Sequence, residues 1–142
     1  MTWWVGKSGG KLGVTAWAAG TSQPARLWRH IAESFAGEQA LRQTIDAYQP
    51  WSDRFSDPGH IVYALQGAGL KDVNLEQREY AVEITATQYL LRMESSLVGR
   101  ICHTIGPGRW NEFRCAAERR FAAQFPSRFT ILPRANLAVA TK

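Results

Sequence analysis

Ser8-Gly9-Gly10-Lys11-Leu12-Gly13-Val14-Thr15-Ala16-Trp17 combines a turn signal with a strand signal. Two consecutive glycines mark a tight turn, because only glycine takes a positive φ without steric penalty. The residues that follow are small, apolar or β-branched and stop at Gly20. They predict a strand of about six residues, buried on both faces because neither face is consistently polar. A Gly-Thr-Ser-Gln-Pro loop and an apolar-striped helix come next, which is the opening of a βα unit.

Outward from that strand, Ala25, Trp28, Ile31 or Ala32 and Phe35 give one helical stripe over Gln23 to about Gly37. A second, weaker helix runs from Glu38 to Tyr48, and Gln49-Pro50-Trp51-Ser52-Asp53 breaks it. Ser56-Asp57-Pro58 then reads as a cap followed by Pro at the first helical position, and Gly67-Ala68-Gly69 closes that helix. Asp72 to Ile84 alternates between apolar and polar residues, which predicts a strand with a bulge near Gln77. Thr85 to Gln88 has capping-box spacing and opens a helix predicted to reach Ile105. Another helix follows from about Arg109 to Phe125, and Phe129 to Leu132 with Ala135 to Thr141 reads as a terminal strand.

The opening Gly-Gly turn and strand resemble the fifth strand of class I S-adenosylmethionine-dependent methyltransferases of the small-molecule type, with Ser8 where that family usually has Pro. Phe55-Ser56-Asp57-Pro58 through Gly69-Leu70-Lys71-Asp72-Val73 resembles the family's last helix and sixth strand, and the terminal strand resembles its seventh. The resemblance therefore covers nearly the whole chain but only the second half of such an enzyme. It implies an α/β domain with a partial Rossmann-like fold: a three-stranded mixed sheet with packed helices and a helical cap, all in a single domain over residues 1–142. In that family the strands lie in the order fifth, seventh, sixth, the seventh antiparallel between the others.

The same comparison implies a function and its limit. The first four strands, the glycine-rich loop that approaches the cofactor and the acidic residue that holds its ribose have no counterpart here. No Gly-x-Gly-x-Gly sequence occurs. The expectation is the acceptor-binding half of a methyltransferase, inactive alone, binding S-adenosylmethionine only where a partner chain supplies the other half. A non-catalytic small-molecule-binding or self-associating module is the alternative. In the related enzymes, residues after strand five and the helices inserted around strand six cover the acceptor. By position these are Trp17, Trp28, Tyr48, Trp51 and Tyr89. Large amphipathic rings commonly line pockets for apolar acceptors, but each also has a reading as core, and Trp28 has the stronger claim to it.

Composition sets the remaining bounds. With 45% hydrophobic and 20% charged residues the chain has the makeup of a folded globular protein rather than a disordered one. Its net charge of +5 is spread along the sequence, so it does not mark a polyanion-binding run. No apolar run approaches the length of a membrane span and no secretion signal opens the chain, so the expected compartment is the cytoplasm. Gly6-Lys7-Ser8 fails as a phosphate loop because Met1 stands where the first glycine is required.

Few side chains suggest chemistry. His30, His60 and His103 are isolated from one another, and Cys102, His103 and Cys115 match no zinc spacing. No metal site and no catalytic residue can be named. Arg109, Arg114, Arg119 and Arg120 read as a solvated helix face partly neutralised by Glu112 and Glu118, so nucleic acid is not an expected partner. The first strand, by contrast, would lie at a sheet edge with apolar side chains and only Lys11 to protect it. A homodimer or a complementing methyltransferase half is the expected partner, in contact through this strand or the Trp3-Trp4 tail.

Overall fold

The computed structural model describes residues 7–20, 22–48, 50–95 and 105–142. In chain order the elements are β1 (Lys11–Trp17), α1 (Gln23–Ala36), α2 (Glu38–Tyr48), α3 (Ser52–Ser56), α4 (Pro58–Gly67), β2 (Lys71–Glu79), β3 (Val82–Thr85), α5 (Ala86–Ser95), α6 (Pro107–Gln124), β4 (Arg128–Ile131) and β5 (Arg134–Thr141). They fall into two compact units. A strand unit takes in the chain up to Gly20, Trp51–Tyr80 and Pro133–Lys142; a helical unit takes in Thr21–Pro50 and Ala81–Leu132.

The strand unit is built on a three-stranded sheet in the order β1-β5-β2. Both ladders are antiparallel, so the sheet is not mixed as expected: the reversed terminal strand β5 separates β1 from β2. Before β1, Lys7 to Gly10 forms the expected turn, with Gly9 at φ 81° and the Gly10 N–H donating to the Lys7 carbonyl at 2.9 Å. Asp57 caps α4, its Oδ1 accepting from the N–H groups of Gly59 at 2.7 Å and His60 at 3.2 Å. The small core beneath α4 consists of Ile61, Leu65, Ala138 and Ala140, with Val14, Ala16, Leu70, Val73 and Leu75 packed against it.

In β1, Val14 and Ala16 are half-buried and the other five residues are exposed. The expectation of burial on both faces fails because only one face of the sheet is covered within this unit. The irregularity in β2 lies between Lys71 and Asn74, not near Gln77. Asp72 takes it up at φ 51°, a conformation that Asp tolerates better than most residues.

The helical unit packs α1, α5 and α6 around one apolar cluster that includes Trp28, Ile31, Leu41, Tyr89, Phe113 and Phe121. Trp28 meets the Phe113 ring edge-on at 5.8 Å, and Tyr89 stacks on Phe121 at 5.6 Å. The capping box is present in both directions: the Gln88 N–H donates to Thr85 Oγ1 at 3.2 Å, and the Thr85 N–H donates to Gln88 Oε1 at 3.0 Å.

This unit also holds a two-stranded antiparallel sheet, β3-β4, which the sequence reading did not anticipate. The long alternating run breaks at Tyr80, and the terminal run breaks at Leu132-Pro133, where Pro removes a ladder donor. Each run thus gives one strand to each unit. Helix α6 begins at Pro107 rather than Arg109, consistent with Pro suiting a first helical turn. The expected continuation of α5 toward Ile105 crosses residues 96–104, which lie outside the described residues together with Cys102, His103 and the Trp3-Trp4 tail.

Candidate functional site

The five rings proposed from the sequence divide between the two units. Trp17 ends β1 in the strand unit with 60% of its surface exposed. Trp51, in the same unit, is also exposed, and the Arg54 guanidinium lies 5.6 Å from its ring centre. Trp28, Tyr48 and Tyr89 belong to the helical unit. There Tyr48 is exposed, while Trp28 and Tyr89 are buried in the aromatic cluster. Burial pushes the Tyr89 phenol above its usual range; the Ser22 hydrogen bond and the Arg92 charge act in the opposite direction.

In the strand unit the notable surface is the sheet itself. Among the described residues nothing pairs with the outer edge of β1. On the face away from Val14 and Ala138, the register sets Thr15 beside Leu137, Gly13 beside Val139 and Trp17 beside Ala135. Val139 is 47% exposed although it lies on the central strand. On the opposite face Asn136 is completely buried. Its Oδ1 accepts from Gln77 Nε2 at 2.8 Å, and its Nδ2 donates to the Ser56 carbonyl at 3.1 Å and weakly to that of Phe55 at 3.4 Å. One amide thus ties β5 to β2 and to the end of α3. The sequence reading passed over Asn136, although a single Asn within Ala135-Asn136-Leu137-Ala138-Val139-Ala140 is the signal of a buried polar contact.

Could this unit hold S-adenosylmethionine? At its glycine turn and at the end of β1, the backbone N–H donors are already occupied. The Gly9 N–H donates to the Lys142 carbonyl, Gly10 to Lys7, Ala18 to Arg134 and Ala19 to Ser56. The sequence also has no Gly-x-Gly-x-Gly loop, the usual approach to a dinucleotide-type cofactor.

The helical unit offers different chemistry. Between α1 and α6 lies an open groove of about 480 Å³ lined by Gln23, Arg26, Leu27, His30, Arg120, Gln124 and Phe125. A second hollow of about 490 Å³ is lined by Phe35, Asn111, Glu112, Cys115, Ala116 and Arg119. Other arginines of α6 have structural partners. Arg109 Nη1 donates to the Phe35 carbonyl at 2.9 Å, and Arg114 lies 2.8 Å from Glu94 as a charge contact without an aligned hydrogen bond. No cluster of three or more potential metal ligands occurs among the described residues. No helix among them is long and apolar enough to cross a membrane. No protein-family model and no curated protein matches the chain.

Proposed function

We propose that this chain is the acceptor-binding half of a small-molecule methyltransferase, inactive without a partner that supplies the cofactor-binding half. The observation that carries this reading is the β1-β5-β2 order, with β5 antiparallel to both neighbours and capped α4 leading into β2. This order and polarity match what the resemblance leads one to expect of the fifth, seventh and sixth methyltransferase strands. A second feature supports it: the segments of the helical unit enter the sequence directly after β1 and directly after β2. Those are the places where the related enzymes insert the elements that cover an acceptor. The exposed rings Trp17 and Trp51 are the acceptor contacts of this reading, both on the strand unit.

The test pairs calorimetry with coding context. The chain alone should give no heat with S-adenosylmethionine. The coding sequence directly upstream of Met1 should carry a strand, glycine-rich loop and helix, and its product should form a one-to-one complex with this chain that binds the cofactor. Stoichiometric binding by the chain alone, or an upstream sequence without that unit, would remove the reading.

The unpaired edge of β1 favours the self-associating alternative as well. Leu12 is 41% exposed there, and open strand edges recruit further strands unless charge or Pro blocks them. A homodimer through this edge would show by light scattering as twice the chain mass. Leu12→Lys should return it to one chain, whereas a wild-type monomer at high micromolar concentration would exclude it.

A further inference from the structure

The groove between α1 and α6 differs from every other surface described above in the sign of its lining. Arg26 and His30 stand four residues apart on α1, and Arg120 and Gln124 stand four apart on α6, so each pair shares a helix face. No acidic side chain lines the groove. Among the described residues neither Arg26 nor Arg120 takes part in an ion pair, whereas Arg29, Arg42, Arg78, Arg114 and Arg128 all do. The second hollow is charge-balanced, with Glu112 set against Arg119.

Backbone charge does not decide the matter. The N-terminal turn of α1 and the C-terminal turn of α6 both border the groove, and their partial charges oppose each other. The side chains therefore set the potential, and it is positive. Leu27 and Phe125 add an apolar floor, and Gln23 and Gln124 add amide donors and acceptors. Guanidinium groups bind carboxylate and phosphate oxygens through paired N–H donors, while the floor can accept only hydrocarbon.

We infer that this groove binds an organic anion, one with a carboxylate or phosphate head held by Arg26 and Arg120 and a short apolar body laid on Leu27 and Phe125. The inference stands independently of the methyltransferase reading, because it uses only residues of the helical unit. It gives roles to Arg26 and to Arg120, the latter read from the sequence only as part of a solvated helix face.

Octanoate, octyl phosphate, octanol and inorganic phosphate, each below any micelle concentration, separate head from body when titrated into the full chain and followed by amide chemical shifts. Octanoate or octyl phosphate should bind at least tenfold tighter than octanol and than inorganic phosphate; which of the two is preferred identifies the head. Shifts should centre on residues 23–30 and 120–125. Arg26→Gln combined with Arg120→Gln should weaken binding at least tenfold, and Arg26→Gln alone, at an exposed position, serves if the double variant does not fold. Arg119→Gln, in the other hollow, should change nothing. Equal affinity for octanol, shifts centred elsewhere, or undiminished binding by the arginine variants would overturn the inference.

Discussion

The two units solve the same burial problem with different materials. The helical unit fills its core with rings: Trp28, Tyr89, Phe113 and Phe121 touch across three helices, and Phe125 and Phe129 extend the row at 4.9 Å. Among the described residues the strand unit has no aromatic residue in its buried core, which rests on Ile61, Leu65 and two alanines of β5. Rings bury large areas and hold defined mutual geometry, so a few of them can hold a helix cluster together. Alanines on a central strand let a helix approach closely but contribute little apolar area each. The strand unit compensates with backbone ladders on both sides of β5 and with the Asn136 amide. One unit is held mainly by side-chain packing, the other mainly by directional hydrogen bonds.

The sharpest way to break that contrast is to remove a ring. Phe121 is completely buried, stacks on Tyr89 and leans on Phe125 at 5.3 Å. Phe121→Ala should cost about 3–5 kcal/mol, because the cavity adds to the lost transfer energy and neighbouring rings cannot collapse far into it. Denaturant melts, with hydrogen exchange read in α1 and α6, check the size. A loss under about 1 kcal/mol would mean that the aromatic cluster is loosely packed.

The corresponding change in the strand unit removes an amide. Asn136→Ala takes the donor from the Ser56 carbonyl and the acceptor from Gln77, and should cost about 1–3 kcal/mol. Asn136→Asp distinguishes hydrogen bonding from packing, since its volume is nearly unchanged. A carboxylate oxygen would then face the Ser56 carbonyl in a buried position, raising the Asp pKa in the folded state. Its destabilisation should therefore be smallest below the unfolded pKa of about 4 and grow as pH rises. A loss independent of pH would show that shape alone matters at this position.

The contrast also explains what could be read from the sequence. Helix ends carry local signals, and Asp57, Pro58, Thr85 and Gln88 announced theirs because a cap is a contact within four residues. The aromatic stripe of α6 was legible for the same reason, as Phe113, Ala117 and Phe121 recur at helical spacing and all are buried. Strand partnership is not local. Tyr80 and Pro133 each end one strand of the β2/β5 ladder, where the Tyr80 N–H donates to the Pro133 carbonyl, yet 53 positions separate them. Nothing near either residue says that the chain changes unit there, so two broken runs were read as two continuous strands. The cationic groove was hidden likewise, because Arg26 and Arg120 meet only when α1 and α6 pack.

The smallest expected effect concerns Trp17, and it tests whether the open face of the strand unit is surface or site. Composition and apolar neighbours allowed two readings of this ring, core or acceptor contact. At 60% exposure it cannot supply the stability of a core residue within its own unit. Trp17→Ala should therefore change stability by less than about 1 kcal/mol, as for exposed positions generally, and not by the roughly 3–5 kcal/mol of a buried ring. Such a ring, at the end of a strand whose outer edge has no partner among the described residues, is accessible to another molecule. Binding of 2-naphthol, an apolar phenolic probe, should weaken in the variant while the melting temperature holds. A core-sized loss of stability would mean that the ring is covered in solution by something outside the strand unit. Unchanged stability with unchanged affinity would leave Trp17 as surface alone and take it out of the acceptor site.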